Sequence, residues 1–284
     1  MSEASNNAVG GRLPGSGLQH PVALITGGTS GIGLAAAKRL LAAGWRVVVC
    51  GRDHQRLERA VTELESTPGA AGTVGAAGGE PRVVGLEADV AEAADCAGLV
   101  AEAVHHCGRV DALLHSAGYA PRVGVEQHDD ELIDKVFATN AMAAIRLVRE
   151  LWPVFGRQGG GVVVLVSSMA SRDPYDGFLA YGASKAAVNL AALSVARAGA
   201  AVGVRAFAVA PGAVETPMLR SIVGVDVLPP EMALSPDTVA GVIVDCVLGR
   251  RDGSNGETIF VPSPGPETPP TAPPAGGAAG HGGR

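Results

Sequence analysis

The chain has 284 residues, 47% of them hydrophobic and 18% charged. That composition is globular, and one domain of this size can bury about 70–75% of its unfolded surface without disulfide or metal staples. A net charge of −6 with no basic block argues against a nucleic-acid partner. Apolar runs such as Val162–Val166 are far too short to cross a bilayer, so no membrane partner is expected. The N-terminus lacks the apolar core of a secretory signal, and Cys50, Cys96, Cys107 and Cys246 show no CxxC spacing. They read as reduced, mostly buried thiols of a cytoplasmic protein.

Residues 1–20 are rich in Gly, Ser, Asn and Pro and read as a flexible arm. Val22–Ile25 is a short apolar strand running into Thr26-Gly27-Gly28-Thr29-Ser30-Gly31-Ile32-Gly33, and then into an Ala/Leu-rich helix closed at Gly44. Strand, glycine turn and helix in this order make a phosphate cradle. Glycine lets the backbone approach a pyrophosphate, and the helix N-terminus offers free N–H groups and a positive dipole end. The second strand, Val47–Cys50, leads to Gly51, Arg52 and Asp53. In NAD-binding units an acidic residue at this strand end holds the ribose 2′-hydroxyl. Glycine followed by arginine suits a 2′-phosphate instead.

Asp53 can cap a helix to about Ser66, and Thr67–Pro81 is a Gly/Ala-rich loop. Arg82–Leu86 is the third strand, ending at Ala88-Asp89-Val90, and Ala91–His106 is an amphipathic helix. His105 and His106 point about 100° apart on it and have no partner at ligand spacing, so no metal site is expected. Asp111–Leu114 begins the fourth strand, closed by His115-Ser116-Ala117-Gly118. A long helix from Glu126 to about Leu151 contains Asn140. Gly161–Val166 is the fifth strand and delivers Ser168. A helix from Tyr181 to about Ala198 follows, and then the sixth strand, Val204–Val209, with Pro211-Gly212-Ala213-Val214-Glu215-Thr216 after it. Met218–Met232 is apolar and reads equally as packed chain or as a mobile cover over a substrate. Ser235 and Pro236 are a good N-cap and first residue for a helix to about Leu248. Thr258–Val261 is the last strand, and residues 263–284 form a Pro/Gly-rich tail expected to be disordered. Strands alternating with helices, the strands near-continuous in Val and Leu, specify an α/β fold. The expected architecture is a single-domain, Rossmann-type, doubly wound parallel sheet over residues 21–262 with helices on both faces.

One stretch carries chemistry beyond the fold. Tyr181 and Lys185 are four residues apart, one helical turn, and Ser168 lies thirteen residues before the tyrosine. A phenol titrates near 10, and a nearby ammonium favours the phenolate and lowers that value. A serine hydroxyl beside it can hold a carbonyl or alcohol oxygen. Together they can move a proton while something else moves a hydride.

With these motifs in order over roughly residues 21–261, the chain resembles the short-chain dehydrogenase/reductase family. Thr26-Gly27-x3-Gly31-x-Gly33 looks like its cofactor turn, and Asp89 matches the aspartate beside the adenine. Asn140, Ser168, Tyr181 and Lys185 match its catalytic tetrad. Pro211-Gly212 and Thr216 match the segment that positions the nicotinamide. The resemblance implies an NADP(H)-dependent oxidoreductase that interconverts a ketone or aldehyde and an alcohol. Tyr181 passes the proton, Ser168 steadies the substrate oxygen, Lys185 lowers the tyrosine pKa and holds the nicotinamide ribose, and Asn140 holds a water in a relay to Lys185. Cofactor contacts are expected from Gly27, Thr29, Ser30, Gly31, Ile32, Gly33, Arg52, Asp89, Val90, Ser116, Ala117, Gly118, Tyr181, Lys185, Pro211, Gly212, Val214 and Thr216. The partner is a small carbonyl or alcohol, and the chain is expected to form a homodimer or homotetramer.

Three departures from the family pattern stand out. His115-Ser116 replaces the usual Asn-Asn before Ala-Gly. Phe207 replaces a common asparagine in the sixth strand, and Pro262-Ser263-Pro264 replaces Asp-Gly-Gly after the last. Competing readings are an NAD-dependent alcohol dehydrogenase of the same family, an epimerase or dehydratase, and a catalytically silent cofactor sensor. The glycine spacing and the short segment after Thr216 oppose the epimerase. The intact tetrad opposes the sensor.

Overall fold

The computed structural model describes residues 20–70 and 81–264. The expected N-terminal arm, nearly all of the tail and most of the Gly/Ala loop lie outside the described residues. Seven strands form one sheet: β1 (Val22–Thr26), β2 (Arg46–Gly51), β3 (Val83–Glu87), β4 (Ala112–His115), β5 (Gly161–Val166), β6 (Val204–Pro211) and β7 (Thr258–Val261). Their order is β3-β2-β1-β4-β5-β6-β7, and every pairing is parallel.

Each central strand is apolar on both faces because each face meets helices. Val22 and Leu24 of β1 enter one core while Ala23 and Ile25 enter the other. The first core packs α3 (Ala93–Cys107), α5 (Ala143–Gln158) and α6 (Leu179–Gly199) on the sheet. The second packs α1 (Gly31–Ala42), α2 (His54–Glu65) and α8 (Pro236–Val247) on the opposite face. Phe207 is fully buried in the second core, so its departure from the family pattern is one of packing. By length and composition α6 could cross a bilayer. Here it lies along β6, with Ser184, Lys185 and Val188 buried.

Local signals end the helices where the sequence places them. The Asp53 carboxylate accepts the Arg56 N–H at 2.9 Å, and the Ser235 hydroxyl accepts the Thr238 N–H at 3.0 Å. After α1, the N–H groups of Gly44 and Trp45 return to the carbonyls of Leu41 and Leu40, closing the helix.

The long helix expected from Glu126 to Leu151 differs. Val125–Gln127 is a separate 3₁₀ turn, and α4 (Asp130–Phe137) starts at Asp129, whose carboxylate caps the Leu132 N–H at 2.8 Å. Between α4 and α5, residues Ala138–Met142 form a π-helical turn, and the helix then runs on to Gln158. Helix α6 opens two residues before Tyr181, at Leu179. Met218–Met232 is neither one helix nor one strand. It comprises a short helix α7 (Pro217–Arg220), turns, and a 3₁₀ turn at Pro230–Met232.

The chain builds β1, β2 and β3 outward, then returns to place β4 on the other side of β1. At this switch point the carboxyl ends of β1 and β4 diverge and leave a crevice, the usual ligand position in such sheets. Thr26 and His115 are register partners at its floor.

Candidate active site

A cleft of about 550 Å³ lies over these strand ends, within the usual range for a ligand site. Of the expected cofactor contacts, all but Gly33 line it. Gly33 lies in the first turn of α1 and lets it pack: a Cβ there would sit 2.4 Å from the Gly27 carbonyl oxygen. Gly27 itself has φ +64°, and a Cβ would fall 2.7 Å from the Ala117 nitrogen, so both glycines are required by close backbone approach.

The residues present fit a dinucleotide. Ser30 is the N-cap of α1 in extended conformation with no side-chain cap bond, and the first turn contains no acidic residue. Its N–H groups and positive dipole end therefore face the cleft uncompensated, as a pyrophosphate requires. At the far end Arg52, Arg56, Thr29 and Asp89 surround the expected adenosine position. The Arg52 side chain is 64% exposed and lies 3.8 Å from the Asp89 carboxylate.

At the other end sit Ser168, Tyr181 and Lys185, with Asn140 beneath. Ser168 follows β5, Tyr181 and Lys185 come from α6, and Asn140 comes from the π turn. Ser168 and Tyr181 line the same part of the cleft, and the Ser168 side chain acts to lower the Tyr181 pKa. The Ser168 oxygen accepts the Ala170 N–H at 3.2 Å. Lys185 is buried, with its ammonium 5.7 Å from the Tyr181 ring centroid and donating to the Val166 carbonyl at 2.8 Å. Burial pulls the Lys185 pKa down to about 8.

The expectation that Lys185 lowers the Tyr181 pKa is not met in this geometry. Burial raises the phenol, and Ser168 only partly opposes that. One lysine proton is directed at Val166 and the ammonium lies over the ring, 5.7 Å from its centroid, and for the phenol desolvation is the larger effect.

Asn140 is held on all sides. Its Oδ1 accepts the Tyr119 N–H at 2.8 Å, and its Nδ2 donates to the Tyr119 carbonyl at 3.0 Å and to Ser184 Oγ at 2.9 Å. Both amide protons are thus committed to the protein, so any water relay would have to use an oxygen of this residue. The π turn directs the Asn140 carbonyl at β4, where His115 Nε2 lies 3.2 Å away. Nδ1 of His115 lies 2.8 Å from Thr26 Oγ1, which accepts the Ala117 N–H at 3.2 Å. The carbonyl can only accept, so Nε2 carries the proton and Nδ1 accepts from the threonine hydroxyl. His115 is fully buried. Burial, with Lys185 nearby as a lesser cause, holds its pKa down to about 3, so the ring is neutral at working pH. The His115 departure therefore ties the glycine-turn strand to the π turn.

Sequence reasoning missed several lining residues. Tyr119, Arg122 and Phe178 line the cleft, and so does Ser263, whose backbone nitrogen lies 2.8 Å from where a Gly212 Cβ would stand. Ser263 was assigned to the tail. Tyr175 also lines the cleft, with its ring 6.4 Å from that of Phe178. Of the apolar segment after Thr216, Met218, Leu219, Ile222, Val223 and Leu228 face the cleft, whereas Val225 and Val227 point to solvent. The four cysteines are free and buried, and burial pushes Cys50, at the cleft wall, up to about 12.

A doubly wound parallel sheet with a phosphate cradle at its switch point and a Ser–Tyr–Lys cluster beside it is the architecture of a nicotinamide-dependent oxidoreductase. The family model described as short chain dehydrogenase matches residues 21–224, and the chain belongs to this family of oxidoreductases acting on CH–OH and C=O groups. It is 36% identical over 200 residues to the human protein dehydrogenase/reductase SDR family member 2, mitochondrial, covering 70% of this chain and 67% of the relative. Dehydrogenase/reductase SDR family member 4 of Bos taurus is 34% identical over 204 residues, covering 72% and 69%. Among solved structures, a variant of actinorhodin polyketide ketoreductase with NADPH superposes with a TM-score of 0.76 at 27% identity, covering 86% of this chain and 96% of that one.

Proposed function

We propose that the protein is an NADP(H)-dependent reductase or dehydrogenase that interconverts a ketone or aldehyde and an alcohol, using Ser168, Tyr181, Lys185 and Asn140. The observation that carries this reading is the junction of the uncapped α1 N-terminus with the Ser168–Tyr181–Lys185 cluster in one cleft. In reduction, Ser168 Oγ hydrogen-bonds the substrate oxygen and Tyr181 Oη delivers the proton to it. In oxidation, Tyr181 withdraws that proton. The bound nicotinamide supplies or accepts the hydride. Lys185 has one proton on Val166, leaving two donors for ribose hydroxyls and for the charge that develops at Tyr181. Asn140 fixes the Tyr119 backbone at the cleft floor.

Preference for NADP(H) rests on Arg52, supported by Arg56 one turn later and by the absence of a carboxylate at Gly51. A hydrogen bond from a charged group to a 2′-phosphate would favour NADPH about 10- to 150-fold. Arg52 is mostly exposed and has Asp89 nearby, so the expected factor is at the lower end, about tenfold. The NADPH named with the actinorhodin ketoreductase variant supports the same direction. The test is kcat/KM with NADPH and NADH against a panel of ketones. Equal or better use of NADH would defeat the NADP reading, and no turnover of any carbonyl or alcohol would defeat the catalytic one. Self-association, expected of the family, has a candidate surface in the exposed Met142, Ile145 and Leu190 of the π turn, α5 and α6. Sedimentation at micromolar concentration checks it, a monomer being the adverse result.

A further inference from the structure

The substrate half of the cleft, beyond Ser168 and Tyr181, is walled by Tyr175, Phe178, Met218, Ile222, Val223 and Leu228. One arginine, Arg122, lines the cleft beside this apolar surface. Its Nε donates to the Asp176 carbonyl at 3.3 Å, and among the described residues it has no carboxylate partner and no other hydrogen bond. Its stem is fixed in place by Gly177, where a Cβ would fall 2.8 Å from Arg122 Cγ. The loops carrying the two residues are joined by the Val123 N–H to the Gly177 carbonyl at 3.0 Å. Among the described residues, the acidic ones that line the cleft, Asp53 and Asp89, stand beside Arg52 at the opposite, adenosine end. Among the described residues, the substrate half thus holds two cations, Arg122 and Lys185, and no carboxylate.

A guanidinium with an anchored stem and free terminal nitrogens is a fork for a carboxylate, and it is stronger against a low-dielectric wall than in open water. We propose that Arg122 is the substrate-anchoring residue of this cleft, and that the preferred carbonyl substrate is an apolar or aromatic ketone bearing a carboxylate. This rests on the oxidoreductase reading above. The apolar wall takes the body of the substrate, Arg122 takes its carboxylate, and the two together turn the carbonyl toward Ser168 and Tyr181.

The test compares benzoylpropionate with its neutral amide, benzoylpropionamide, on the full chain with NADPH and NADH. For wild type, kcat/KM should favour the carboxylate by about 10- to 100-fold, carried mostly by KM, and the gap should shrink at high salt. In Arg122→Gln the ratio should fall to near one, and Arg122→Lys should restore part of it. A wild-type ratio near one, or a variant in which both ketones fall together, overturns the proposal and leaves Arg122 as a loop support. A second readout needs no turnover. Benzoylpropionate should raise the melting temperature of NADPH-saturated wild type but not of Arg122→Gln, and equal shifts in the two overturn the assignment. If that binding difference appears while neither ketone is turned over with either cofactor, the oxidoreductase reading fails and the Arg122 site stands.

Discussion

Replacing His115 with leucine tests the buried network directly. The side chains are similar in volume, so the main loss is polar. The Thr26 hydroxyl proton and the Asn140 carbonyl each lose their His115 partner in a site with no solvent access. A buried polar group left unpaired costs about 1–3 kcal/mol, so with two such groups the variant should be less stable by about 2–6 kcal/mol at pH 8. In a domain of this size that is a fall in melting temperature of about 4–24 °C. The pH dependence makes the test sharper. The folded state keeps His115 neutral down to about 3, while the unfolded chain binds a proton below 6.5. Its stability contribution is therefore complete above pH 6.5 and is lost as pH falls toward 3. At pH 5 the wild type should already have lost about 2 kcal/mol through this one group. Leucine binds no proton, so the gap between wild type and variant should shrink by that amount between pH 8 and pH 5. The assay is denaturant unfolding of both proteins at several pH values. A gap that is absent at pH 8, or constant from pH 8 to pH 5, would refute the hydrogen-bonding and burial argument.

Other perturbations act on the cleft itself. Tyr181→Phe should reduce turnover by about 10²–10⁴-fold while leaving NADPH binding by fluorescence titration intact, and near-normal turnover would remove the tyrosine from its role. Lys185→Met should raise stability without cofactor at pH 7 by about 1–3 kcal/mol, because it removes a buried ammonium whose pKa is held near 8. In wild type the same burial makes stability rise with pH between 8 and 10.5, since only the unfolded chain is protonated there. A melting curve showing no gain in the variant would contradict this. Gly51→Asp alone should weaken both cofactors, because its Cβ would meet the Thr29 methyl at 2.6 Å. Combined with Thr29→Ser, which removes that methyl, it should favour NADH over NADPH, and an unchanged preference in the double variant would clear Gly51 of any role. Gly33→Ala should abolish cofactor binding or soluble expression, given the 2.4 Å approach to the Gly27 carbonyl.

The strands were legible because a doubly covered parallel sheet demands runs such as Gly161–Val166 and Thr258–Val261, whose bounds the structure reproduces. The glycine turn and the Tyr181–Lys185 pair were legible because each is local, held within one turn of chain. The π turn at Asn140 was not, since a single surplus residue leaves the 3.6-residue periodicity on either side intact. Arg122 and Ser263 were missed for a different reason. They reach the cleft from loops, where no periodic pattern marks the inward face, and their neighbours Gly177 and Gly212 are 55 and 51 positions away in sequence. The direction of the Tyr181 shift was misjudged because spacing places an ammonium near the ring but does not say where its protons point.

The π turn has a consequence for insertions and deletions. Each residue of an α-helix advances the chain by about 100° around its axis, and the π turn Ala138–Met142 takes up one extra residue without passing that rotation downstream. Upstream, α4 presents Val136 inward. Downstream, α5 presents Leu147, Leu151 and Phe155 to the sheet. Deleting Ala141 would let the helix heal into regular α geometry with its two ends still in phase, but Asn140 would lose the turn that aims it at Tyr119, Ser184 and His115. The surplus residue thus lets one continuous rod serve the cleft at its middle and the core along its second half. Outside Asn140, substitutions in this segment should be tolerated far better than a change of length.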